Sequence, residues 1–191
     1  IKEPEYAHVT GSQDVCSGFF VTQRFVKRAS QSSWDRRAEL DVSLAAPSAQ
    51  SACGMEDFMK VVDMHCDTIA ALYENKEKGW TLQDNGLHIR LDKMKQGDYL
   101  LQNFALFVCI ENCEDPYQQA LALADCFDRQ MALFPEQIGQ VRCYNDILEN
   151  QKNGRMSALL TIEEGAVCQG SLEKLREFYD RGVRMLTLTW N

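Results

Sequence analysis

A histidine and an aspartate two positions apart, His65 and Asp67, close the run Val61-Val62-Asp63-Met64-His65-Cys66-Asp67. Alternate side chains of a strand point to one face, so this spacing sets an imidazole and a carboxylate side by side. Thr68-Ile69-Ala70-Ala71-Leu72-Tyr73 then reads as the start of a helix, which places the pair where a strand feeds a helix. Barrel and open α/β enzymes carry their chemistry at that end of their strands. Imidazole nitrogen and carboxylate oxygen are both zinc donors. A further acidic position, Glu163, ends the apolar run Ala158-Leu159-Leu160-Thr161-Ile162. In a parallel sheet it faces the same rim as His65 and Asp67, and its two oxygens suit it to bridge two cations. Taken singly, each residue has an ordinary structural reading: a hydrogen-bonded core histidine, an N-cap aspartate, a solvated loop glutamate.

The elements that must position these groups fit a chain of 191 residues with 45% hydrophobic content, enough for one domain with a sizeable core. The formal net charge is −8, and residues 1–54 are balanced, so the whole acidic excess lies in residues 55–191. Such a domain offers no electrostatic footprint for nucleic acid or for an anionic membrane. No apolar run has the length of a transmembrane helix, and the N-terminus lacks a basic stretch followed by an apolar one. The eight cysteines include no C-x-x-C pair, and several sit inside apolar runs. They read as reduced, mostly buried residues of a cytoplasmic protein. Cys66, one position out of phase with His65 and Asp67, is expected to face away from them.

From Met55 onward the pattern alternates between strand and helix. A strand is expected over about Lys60–Asp67, followed by a helix stopped at Gly79. Residues 80–97 read as a long polar connection that contains His88, a loop histidine. Asn103–Cys109 is a near-continuous apolar run, as expected for a strand covered on both faces. Asp115-Pro116 supplies an N-cap and a first-turn proline to a helix whose stripe is Ala120, Leu123, Ala124, Phe127, Met131 and Phe134. Helices over Tyr144–Asn153 and Ser171–Arg181 flank a third strand at Ser157–Ile162, and a fourth strand runs from Val183 to Thr189. Strands alternating with helices imply a parallel sheet with right-handed crossovers. Residues 1–54, serine-rich and unpatterned, read as an irregular or disordered extension, or a non-native one, in front of the folded unit at 55–191. A docking extension is the alternative.

Together, VVDMHCDT at 61–68, HIRLDKMKQGDYLLQNFALFV at 88–108, ALLTIEEG at 158–165 and GVRMLTLTWN at 182–191 resemble the renal (membrane) dipeptidase family of zinc peptidases, in the family's order and spacing. The resemblance implies an α/β fold of the (βα)8 TIM-barrel type, of which this chain holds about the first four βα units. It implies two zinc ions at the C-terminal face, with His65 and Asp67 as ligands of one and Glu163 bridging both. A hydroxide between the metals then attacks the carbonyl of a dipeptide with free termini.

This chain departs from the family pattern in three places. Glu164 stands where many members have glycine, and Trp190 lies near the position of a substrate-contacting histidine in the animal enzymes. The later histidine ligands, the substrate-binding arginine and the acid/base aspartate belong to strands beyond the fourth. The expectation is therefore part of a dipeptidase, inactive or nearly so alone, with exposed sheet edges that favour self-association. Two alternatives stay open: another metal-dependent hydrolase on the same barrel, and a non-catalytic half-barrel that acts as a binding module. Hydrolases of the first kind usually begin with histidine-x-histidine, so Asp67 favours the dipeptidase branch.

Overall fold

The structure, a computed structural model, describes residues 60–189 and the backbone of residues 20–22. The latter form strand β1 (Phe20–Thr22). The elements that follow are β2 (Val61–Asp63), α1 (Thr68–Glu74), α2 (Leu91–Gln96), β3 (Tyr99–Phe107), α3 (Pro116–Leu133), β4 (Ile138–Gln140), α4 (Tyr144–Lys152), β5 (Met156–Glu163), α5 (Leu172–Asp180) and β6 (Val183–Thr187). The sheet runs β1-β6-β5-β3-β2, with β4 also paired to β5, and every pairing is parallel. Strands β2, β3, β5 and β6 therefore stand side by side in chain order, each followed by helix as far as β6, as in a (βα)8 barrel.

The register fixes which residues share a face. Phe104 lies opposite Leu160 and Leu106 opposite Ile162, and all four side chains are buried against the helices. There Phe104 meets Phe127 of α3 with ring centroids 5.9 Å apart, and Ile69, Leu72 and Leu123 complete the layer. On the other face Asn103 Nδ2 of β3 reaches Met185 Sδ of β6 at 3.9 Å, across the intervening β5. Side chains two strands apart touch only where a sheet curls, so this face is the concave one.

Local chemistry explains most element ends. Asp115 accepts hydrogen bonds from the Tyr117 and Gln118 amides, and Pro116 occupies the first turn, as the sequence predicts for α3. Ser171 accepts from the Lys174 amide at the start of α5. Gly182, with φ +102°, turns the chain from α5 into β6, and a Cβ there would collide with the Gln140 amide group. Arg181 ties α5 to α3 through Asp125 and, at 2.9 Å, Asp128.

Some expectations shift. The connection at residues 80–97 contains α2, whose N-cap Arg90 makes no side-chain cap bond. Strand β3 begins at Tyr99, four residues before the predicted start, because the polar Gln102 and Asn103 are fully buried within it. The short β4 extends β5's edge below β6 and has no counterpart in the sequence reading. In α5, Leu172 is 80% exposed, while Phe178 is buried. Phe20–Thr22 lies in a stretch for which the sequence offered no pairing partner, and it pairs with Met185–Thr187. The rest of residues 1–59, Trp190 and Asn191 lie outside the described residues.

The described cysteines are all free. Cys126 and Cys168 are buried, and Cys66 packs against the core. Burial is the first cause that lifts all three thiols above their ordinary range, Cys66 from 9.0 to about 11. An acid weakened by folding keeps its full stabilising contribution below its unfolded pKa and loses it as pH rises through the folded one. The thiols' share of the stability measured by urea unfolding is thus expected to be level up to about pH 9 and to fall from there toward about pH 11. In the same assay at pH 7, Phe104→Ala is expected to cost about 3–5 kcal/mol, since it empties the centre of the sheet–helix layer.

Candidate metal centre

Two strands deliver the donor groups to one rim. β2 ends at Asp63, and the chain crosses His65 to enter α1 at Thr68. Glu163 is the last residue of β5, opposite Phe107 of β3 and Thr187 of β6. The three residues predicted from the sequence meet there. His65 Nε2 stands 3.2 Å from Asp67 Oδ1 and 3.1 Å from Glu163 Oε2. One donor atom from each residue lies within 4.8 Å of the others, the only such grouping of three or more His, Cys, Asp or Glu among the described residues. The Glu163 side chain is 14% exposed, against 45% for His65 and 56% for Asp67, so the carboxylate of β5 forms the floor and the β2 pair the rim.

The ordinary reading of Asp67 does not hold. It occupies the N-cap position of α1, but its side chain accepts no cap hydrogen bond and turns to His65 instead. Cys66 lies on the far side, among the residues packed on the core, as its phase predicts. His88 is exposed in a loop and joins no donor cluster among the described residues. Asp63, which the sequence reading passed over, accepts the His65 amide hydrogen at 3.1 Å. An acidic residue two positions before a loop residue is the signal for such a turn. Glu164 holds φ +83°, a conformation that side-chain-bearing residues seldom adopt and that tends to survive beside functional sites.

The donor set suits a divalent cation. Zinc ligands at about 2.0–2.2 Å in tetrahedral array lie roughly 3.4 Å from one another. The observed separations of 3.1 and 3.2 Å are close to that, and zinc, a borderline cation, accepts imidazole nitrogen and carboxylate oxygen alike. A cation at the focus would also balance two carboxylates that converge on one imidazole.

The membrane dipeptidase family, peptidase family M19, matches residues 50–191. Dipeptidase 3 of Rattus norvegicus is 31% identical over 151 residues, which cover 74% of this chain and 29% of that protein. An uncharacterised dipeptidase of Schizosaccharomyces pombe is 30% identical over 149 residues, covering 69% of this chain and 36% of that protein. Among solved structures, the metallopeptidase dipeptidase AC of family M19 aligns with a TM-score of 0.62 at 22% identity, over 70% of this chain and 44% of that one. A metallopeptidase from Rhodobacter sphaeroides, liganded with a phosphinate mimic of the dipeptide L-Ala-D-Ala, aligns with a TM-score of 0.60 at 20% identity, over 70% and 46%. At these identities the structures speak to the fold. They identify the curled parallel sheet as part of the TIM-type barrel of these dipeptidases. The chain spans about a third of the length of the curated relatives.

If Asp67 serves the cluster and not the helix, truncating it leaves folding nearly untouched. Asp67→Ala is expected to change unfolding stability by no more than about 0.5 kcal/mol. Asp115→Ala, which removes a working cap, is expected to cost about 1 kcal/mol in the same urea titration.

Proposed function

The chain belongs to the membrane dipeptidase family, peptidase family M19, and on that premise we propose that it carries the first half of a zinc-dependent dipeptidase site. The observation that carries this reading is the meeting of His65, Asp67 and Glu163 at the C-terminal rim of a parallel sheet. His65 and Asp67 would hold one zinc, and Glu163, with two oxygens and the deepest position, would bridge it to a second. When bound, zinc would lower the pKa of its water to about 7, which supplies a nucleophile at neutral pH, and would act as a Lewis acid toward a peptide carbonyl. The chain's own residues set the position of that chemistry. Glu163 keeps its carboxylate at the floor, and the β2 pair leaves the rim open for a dipeptide to enter.

Three donors satisfy one cation weakly and cannot by themselves close a two-metal site. The reading therefore holds that residues 55–191 need further barrel strands for activity, and that these 191 residues alone hydrolyse dipeptides slowly or not at all. Residues 1–54 are an extension of that unit, from which Phe20–Thr22 pairs with β6. Self-association belongs to the same proposal. Among the described residues β2 pairs only with β3, and Val61, Val62 and Met64 are exposed beside that edge. No helix among the described residues is long and apolar enough to cross a membrane. A cytoplasmic, reducing location suits the cysteines, all free among the described residues.

Isothermal titration of the purified chain with zinc, alongside a dipeptide-hydrolysis assay, tests the proposal. The expected result is uptake of zinc that weakens at least tenfold in His65→Ala and in Glu163→Gln, with little or no hydrolysis. Rapid hydrolysis by this chain would refute its dependence on further strands. Zinc uptake indifferent to both substitutions would refute the site.

A further inference from the structure

The chain between β2 and α1 carries one residue too many for a regular ladder. Asp63 lies opposite Gln102. The Cys66 amide then donates to the Asn103 carbonyl at 3.0 Å, and the Cys66 carbonyl accepts from the Ala105 amide at 2.9 Å. In a parallel ladder those two bonds set Cys66 opposite Phe104. Three steps on the β2 side thus match two on β3, so Met64 and His65 form a bulge. Within it the Asp63 carboxylate accepts the His65 amide hydrogen at 3.1 Å, which closes the loop with a side chain in place of the missing backbone partner.

The bulge decides where His65 points. In a regular strand Asp63 and Cys66 would face opposite sides of the sheet. With the extra residue, both stand opposite residues of the helix-facing row, Gln102 and Phe104, and Cys66 packs on the core while His65 is thrown outward to Asp67 and Glu163. Bulges beside active sites commonly re-aim one side chain in this way. We propose that Asp63 is a positioning residue for the metal centre. Its carboxylate oxygen, acting as a hydrogen-bond acceptor and not as a charge or a ligand, holds the bulge that turns His65 toward Asp67 and Glu163. The inference rests on the zinc-site reading above and adds a residue to its support.

Acceptor and charge can be separated, because asparagine keeps the oxygen and loses the charge. The test compares the wild-type chain with Asp63→Asn and Asp63→Ala by two readouts. In the absence of metal, exchange of the His65 amide hydrogen is followed by NMR. With cobalt(II) as the probe, affinity and visible absorption are measured, with far-UV circular dichroism as a check on folding. Asp63→Ala is expected to speed His65 amide exchange and to weaken cobalt binding tenfold or more with an altered spectrum, in the range seen when a partner that orients a metal ligand is lost. Asp63→Asn is expected to stay within about threefold of wild type on both counts. Cobalt binding unchanged in Asp63→Ala, or lost equally in Asp63→Asn, overturns the positioning role while leaving the metal site standing. A wild-type chain that takes up no cobalt overturns the site and this inference with it. If Asp63→Ala fails to fold, Asp63→Val, which keeps the volume and loses the acceptor, takes its place. A shared failure to fold, with Asp63→Asn intact, overturns the positioning role in favour of a purely structural one.

Discussion

Two carboxylates converge on a single imidazole nitrogen, and much of this fold exists to keep them there. Bringing like charges together works against folding unless something offsets the repulsion, and a half-buried site weakens the screening that water would supply. Asp67 follows β2 and Glu163 ends β5, so the sheet between them must hold their separation. It does so through β3, which pairs with β2 on one side and with β5 over seven consecutive residue pairs on the other. Beneath it the layer of Phe104, Leu106, Leu160 and Ile162 against α1 and α3 fixes the strands to the helices. The pairing beneath the site is long, and the layer behind it is apolar.

Two irregular features stand at the rim itself. The bulge at Met64–His65 and the positive φ of Glu164 both lie within two residues of a donor group. Each gives up some regular backbone geometry, and each sits where a regular strand would aim side chains elsewhere. The Cys66 thiol, pushed upward by its burial, marks the boundary between this wet rim and the apolar layer one residue below it.

The parts of this arrangement that were legible in the sequence are those governed by local rules. The Asp115-Pro116 start of α3 reports through nearest neighbours and stands as read, whereas α1 ends at Glu74, before the left-handed Gly79, and His65 and Asp67 meet as read but beyond the end of β2, not as alternate residues of a strand. What was not legible depends on partners far along the chain. β3 starts early because Gln102 and Asn103 are buried by the strands beside them, and nothing in their own polarity says so. β4 is three residues with a central glycine, held by its pairing with β5 and not by propensity. The direction of Glu163 followed from the phase of β5, but its approach to His65 within 3.1 Å needed the intervening register of β3. Asp63 went unremarked because its neighbours read as a plain strand, and the extra residue shows only when the ladder with β3 is counted.

The order of the strands along the chain also has a consequence for biosynthesis. His65 and Asp67 leave the ribosome well ahead of Glu163, which follows about a hundred residues later, so at 5–20 residues per second the pair waits on the order of ten seconds for its third member. Through that interval a nascent chain presents only two of the three donors, on a strand whose neighbour β3 has no β5 to hold it. A cation encountering the growing polypeptide finds little to grip. All three donors can act together only once translation has passed β5.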